Sequence, residues 1–64
     1  MNAKQELIND IRQDIQRFES EYYKIYDSYN PDFARLRKLA VLISNRATEA
    51  RVLEDQLLDE YYDG

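Results

Sequence analysis

The chain has no cysteine and no histidine. The first absence excludes disulfides and thiolate chemistry, and the second removes the commonest metal ligand and the commonest general base. Its one glycine is the terminal Gly64, so there is no glycine-rich phosphate loop. No apolar run approaches the ~20 residues of a membrane-spanning helix. The opening Met1-Asn2-Ala3-Lys4-Gln5-Glu6 lacks the basic-then-apolar layout of a secretory signal. The expectation is a cytoplasmic protein with no membrane partner. Positive charge is also in deficit, and the net charge of −4 argues against general affinity for nucleic acid.

Catalytic constellations fail on the same grounds. Ser20, Ser28, Ser44 and Thr48 have no histidine to activate them. Carboxylate pairs such as Glu6/Asp10 and Asp55/Asp59 are spaced for one helix face. Bundles that bind two metals complete such pairs with Glu-x-x-His, which is missing. The expectation is a protein that is not an enzyme, with no metal, no cofactor and no small-molecule substrate.

What is present is helical period on both sides of one turn. The only proline, Pro31, lies near the middle, within Tyr29-Asn30-Pro31-Asp32-Phe33. Proline holds the residue before it extended and suits the first position of a helix. The turn is therefore expected at 29–31, with Asn30 as N-cap and Asp32 adding negative charge beside the positive helix end. Helix 1 is predicted over about 3–28, capped by Asn2 with Gln5 in a capping box, and helix 2 over about 31–62.

On helix 1, Ile8, Ile11, Ile15, Phe18, Tyr22, Ile25 and Tyr29 alternate steps of three and four, which is a narrow coiled-coil seam. Helix 2 repeats the spacing through Phe33, Leu36, Ala40, Ile43, Ala47, Ala50, Glu54, Leu57 and Tyr61. Folded at Asn30, Tyr22 faces Ala40, Phe18 faces Ile43, Ile15 faces Ala47 and Ile11 faces Ala50, so large residues oppose small ones. Glu54 breaks the apolar pattern, and a pair with Lys4 at the open end would account for it. The reading is a single domain over 1–64, all-α, an antiparallel two-helix hairpin.

A hairpin of sixty-four residues has a thin core and gains stability from a partner. Leu39, Leu42, Leu53 and Leu57, interrupted by Arg46, form a second stripe beside the expected seam; either these leucines only broaden the hairpin's own core or, the preferred reading, the five residues are the contact with a second copy. Charge is segregated too. Lys24, Arg35, Arg37 and Lys38 gather at the turn end, while Glu6, Asp10, Glu54, Asp55, Asp59, Glu60 and Asp63 gather at the open end. Two hairpins packed antiparallel would set each basic turn beside acidic termini, giving a homodimeric four-helix bundle with a self-complementary interface.

Two binding functions fit this plan. In the first, Asp59, Tyr61, Tyr62 and Asp63, with Tyr23 and Tyr26, engage another protein, since tyrosines supply large contact area with few rotors. In the second, Lys24, Arg35, Arg37 and Lys38 bind phosphate. The architecture is similar to that of the plasmid RNA-binding Rop proteins, in shape alone and with no residue carried over. The composition also resembles that of small acidic helical inhibitors of phage and mobile elements. The first reading, a protein-binding inhibitor or adaptor, is preferred, with nucleic-acid binding as the alternative.

Overall fold

A computed structural model gives the structure of residues 2–62, which form two helices joined by a turn. Helix α1 is Ala3–Tyr26 and helix α2 is Phe33–Tyr62. They pack against each other along an elongated body of 54 × 18 × 12 Å. The ion pairs Lys4–Glu60, Arg12–Glu54 and Glu21–Arg35 descend α2 as they ascend α1, so the hairpin is antiparallel.

Asn2 caps α1 as expected. Its backbone is extended, and its side-chain oxygen accepts from the N–H of Lys4 at 2.9 Å. The expected capping box does not form: the Asn2 side chain bonds the N–H of Lys4 and not that of Gln5, and the Gln5 side chain turns forward, its amide donating to Asn9 Oδ1 at 3.2 Å. α1 ends at Tyr26, two residues before the expected limit. The N–H of Asp27 still reaches the Tyr23 carbonyl at 2.9 Å. Beyond it, both the N–H and the hydroxyl of Ser28 bond the Ile25 carbonyl, at 3.1 and 2.6 Å. That tighter closure ends the α-helix, since the chain must already be extended at Asn30 to accommodate Pro31. Among the described residues no backbone takes the left-handed conformation, so the turn is built without glycine.

The cap of α2 is Asp32, not Asn30. The Asp32 carbonyl accepts from the N–H of Leu36 at 3.0 Å, and its carboxylate accepts from the N–H of Arg35 at 3.1 Å. Aspartate caps as well as asparagine and adds charge at the positive end of the helix, so one residue does both jobs assigned above to two. Starting at Phe33 leaves the aromatics on either side of the proline outside the seam. Tyr29 is 106% exposed and Phe33 71%.

The seam of α1 is the expected one from Ile8 to Ile25. Ile8 and Ile11 are buried, and Ile15, Phe18, Tyr22 and Ile25 are half-buried. The seam of α2 runs in a different phase. Leu36, Leu39 and Ala50 are buried and Ile43, Arg46, Leu53 and Leu57 half-buried, whereas Ala40 and Ala47 are exposed. Both phases share Leu36, Ile43, Ala50 and Leu57. They differ in burying Leu39 and Leu53 or burying Ala40, Ala47 and Glu54. The observed phase removes more apolar surface from water and leaves the Glu54 carboxylate at the edge. Arg46 must then take an inner position. It does so half-exposed, its stem lying along the apolar surface and its head paired with Glu49 at 2.9 Å.

Leu39, fully buried, thus supports the hairpin itself and does not lie beside its seam. Leu39→Ala should cost ~2–5 kcal/mol. That is comparable to the whole stability of about 3–5 kcal/mol expected of so small a core. Circular dichroism should show most of the helix lost at 25 °C, whereas Leu42→Ala should leave the melt nearly unchanged. At the turn, Asp32→Ala should lower stability by ~0.5–2 kcal/mol. Asn30→Ala should not, because Asn30 caps nothing.

Candidate functional site

The two helices expose two flanks along their shared seam, and at about 100° per residue the heptad spacing decides which residues stand on each. Arg12, Glu19 and Tyr26 lie seven apart on α1, and Phe33, Ala40, Ala47, Glu54 and Tyr61 lie seven apart on α2. The Arg12–Glu54 ion pair joins these two rows, which together make one flank. The Glu21–Arg35 pair closes the other, where Nε and Nη2 of Arg35 both donate to one carboxylate oxygen of Glu21, at 3.2 and 2.8 Å. Leu7 and Leu42 stand on that second flank by the same spacing.

The first flank carries the concave surface. Near the turn, a groove of about 360 Å³ is lined by Glu19, Tyr22 and Tyr23 from α1 and Ala40, Ile43 and Ser44 from α2. Its wall is aromatic and its floor small. Tyr22 stacks on Tyr26 with ring centres 6.4 Å apart and planes 10° from parallel, and meets Tyr23 edge-on at 5.6 Å. Such pairs hold the rings in a defined arrangement. Towards the open end a second depression is lined by Gln5, Glu54, Leu57, Leu58 and Tyr61. Tyr61 and Tyr62 meet edge-on at 5.2 Å there, and both are strongly exposed.

The residues expected to bind a partner therefore separate into two groups. Tyr23 and Tyr26 stand at the turn end, and Asp59, Tyr61 and Tyr62 stand at the open end. Asp63 lies outside the described residues. The groove was not anticipated from the sequence. Its signal lies in the small residues Ala40 and Ser44, four apart on α2, but from the sequence Ala40 reads as part of the seam and Ser44 only as a hydroxyl without a histidine.

Of the five residues expected to contact a second copy, Leu39 is fully buried between α1 and α2, and Arg46, Leu53 and Leu57 are half-buried along the same seam. Leu42, at 40% exposure, is the one that stands clear. The stripe beside the seam is therefore mostly the seam itself, because the phase of α2 differs from that expected.

The charged residues are also redistributed. Lys4 pairs with Glu60, and Glu54 pairs with Arg12, in place of the expected Lys4–Glu54 pair. In the basic cluster, Arg35 is held by Glu21, while Arg37 and Lys38 line a depression beside Phe33 and Ala34. Among the described residues, no three acidic or otherwise metal-ligating side chains gather to hold an ion, and no helix is long and apolar enough to cross a membrane.

Comparison with known proteins finds no matching family model, no matching curated sequence and no matching solved structure. What the geometry defines is a small all-α hairpin with an apolar, tyrosine-rich flank.

The Arg12–Glu54 pair is exposed on both sides, so its contribution is expected to be small. A double-mutant cycle with Arg12→Ala and Glu54→Ala should give a coupling of about 1 kcal/mol or less. The coupling should shrink further in 1 M salt, where the screening length is only ~3 Å. A larger, salt-insensitive coupling would mean that the pair is desolvated by something besides this chain.

Proposed function

We propose that the chain is a non-enzymatic protein-interaction module of the cytoplasm. It pairs with a second copy into a four-helix bundle and engages another protein through its acidic, tyrosine-bearing open end. The observation that carries this reading is the balance of buried and exposed apolar residues. Among the described residues five side chains are buried, while Leu7, Tyr23, Tyr26, Phe33, Leu42, Leu58, Tyr61 and Tyr62 are all exposed. Single exposed apolar residues are ordinary, but aromatics gathered on one flank and at both ends suit contact with other proteins.

At the open end, Tyr61 and Tyr62 project from the last turn of α2 beside Asp59 and Glu60. Acidic residues at a helix C-terminus oppose the dipole. A basic surface on a target would relieve that opposition and cover the rings, which is the chemistry of a small acidic inhibitor or adaptor. The alternative, phosphate binding through Lys24, Arg35, Arg37 and Lys38, is the weaker reading because Arg35 is already engaged by Glu21.

Removing residues 59–64 should reduce target binding more than it reduces helicity. With the full chain as bait in a lysate of its native host, a protein should be recovered that the truncated chain fails to hold. Circular dichroism should show the truncated hairpin still mostly helical. Equal recovery by both chains would remove the open end from the site. Recovery of nucleic acid, with binding that falls steeply as salt is added, would favour the phosphate reading instead.

A further inference from the structure

From the placement of the tyrosine-rich flank we infer that this face, and not the Leu42 side, receives a second copy of the chain, running antiparallel about a two-fold axis at Ala47 and Gln16. The inference rests on the self-association proposed above and assigns its surface, orientation and axis.

The first argument is area. A compact monomer of this mass, 7.7 kDa, exposes about 4,300 Å² by the usual scaling. This hairpin exposes 5423 Å². The excess is roughly 1,100 Å², somewhat more than the ~800 Å² that each partner buries in an interface of ordinary size. One isologous contact along the hairpin's length is of the right size to remove it.

The second argument is that this flank complements itself. Gln16 and Ala47 stand at about the same height, between the Arg12–Glu54 and Glu21–Arg35 ion pairs. Arg12 lies four residues before Gln16 and Glu19 three after it. Phe33 and Tyr61 lie equally far from Ala47 in opposite directions. A two-fold axis at that height, across the hairpin, brings the Arg12 of one copy to the Glu19 of the other and Phe33 to Tyr61, while Asp59 and Tyr62, which stand off this row, are left for the target proposed above. Glu19 makes no ion pair among the described residues, and the arrangement brings it to an Arg12 guanidinium that already holds Glu54 of its own chain and has further donors to share. Ala47 then meets Ala47, with Ser44 and Ala40 on one side, and these small side chains allow the two α2 helices to approach closely. The basic turn of each copy falls beside the acidic open end of the other.

The opposite flank shares the segregation of charge, with Arg35 and Lys38 near the turn and Asp10 near the open end, but its exposed apolar residues, Leu7, Leu42 and Val52, are all aliphatic and it has no facing aromatics and no row of small residues. A parallel arrangement, turn beside turn, would place Lys24, Arg37 and Lys38 of both copies together.

The chain lacks cysteine, so single cysteines report the axis directly. Only a residue on a two-fold axis faces its own copy, and a disulfide needs Cα atoms within about 7 Å. Three full-length proteins are compared: wild type by sedimentation, and Ala47→Cys and Leu42→Cys by the rate of disulfide-linked dimer formation under a mild oxidant. Both substituted positions are exposed, and circular dichroism checks that each variant remains folded. The expected result is a wild-type dimer, with Ala47→Cys crosslinking at least about tenfold faster than Leu42→Cys. A wild-type dimer in which Ala47→Cys shows no such advantage overturns this face and axis but leaves self-association standing. A wild-type monomer at ~100 µM, a concentration that favours association, overturns both.

Discussion

The hairpin depends on how α2 turns towards the narrow isoleucine seam of α1. The seam accepts one row of side chains, and α2 has an apolar arc wide enough to present either of two overlapping rows. Hydrophobic burial selects the row with Leu39 and Leu53. Once those leucines face inward, the rest follows by helical geometry. Ala40 and Ala47 move to the edge, Glu54 comes within reach of Arg12, Glu21 meets Arg35, and Tyr22 and Tyr23 overhang a floor of small residues. The groove is a by-product of that choice.

Much of this was legible in the sequence. The seam from Ile8 to Ile25 is narrow and uninterrupted, so its phase had one solution. Pro31 fixed where the chain reverses, because its ring holds Asn30 extended and so forbids helix there, although α2 starts at Phe33 and not at the proline as expected. The Asn2 cap followed from local chemistry. The phase of α2 was not legible by the same method, because alanines and leucines count alike when only spacing is scored. Ala40 and Ala47 keep the period as well as Leu39 and Arg46 do. Only the size of the buried side chain and the cost of burying Glu54 separate the two rows. The second cap was ambiguous for a similar reason, since Asn30 and Asp32 are both good capping residues and lie two positions apart.

The error in phase carried directly into the proposed sites. Leu39 and Leu53, expected beside the seam, lie within it, and Ala40 and Ala47, expected within it, lie at the surface. A face of small residues beside stacked tyrosines is a better docking surface than isolated leucines. Small side chains let helices approach closely, as the proposed pairing requires, and Tyr22 and Tyr26 stack on each other, which leaves less rotor freedom to be lost on contact.

Arg46 has a consequence for alignment along the hairpin axis. A seam of leucines alone would tolerate sliding, since a shift of one heptad, ~10 Å, exchanges like for like. With Arg46 at an inner position the strip is no longer uniform. Moved one heptad towards the open end of α1, its guanidinium would face Ile8 and Ile11, the most deeply buried part of the seam. An uncompensated charge there is far costlier than at its present half-exposed place beside Glu49. A single polar residue at an inner position thus acts as an index mark, giving up some cohesion so that the two helices align in one way.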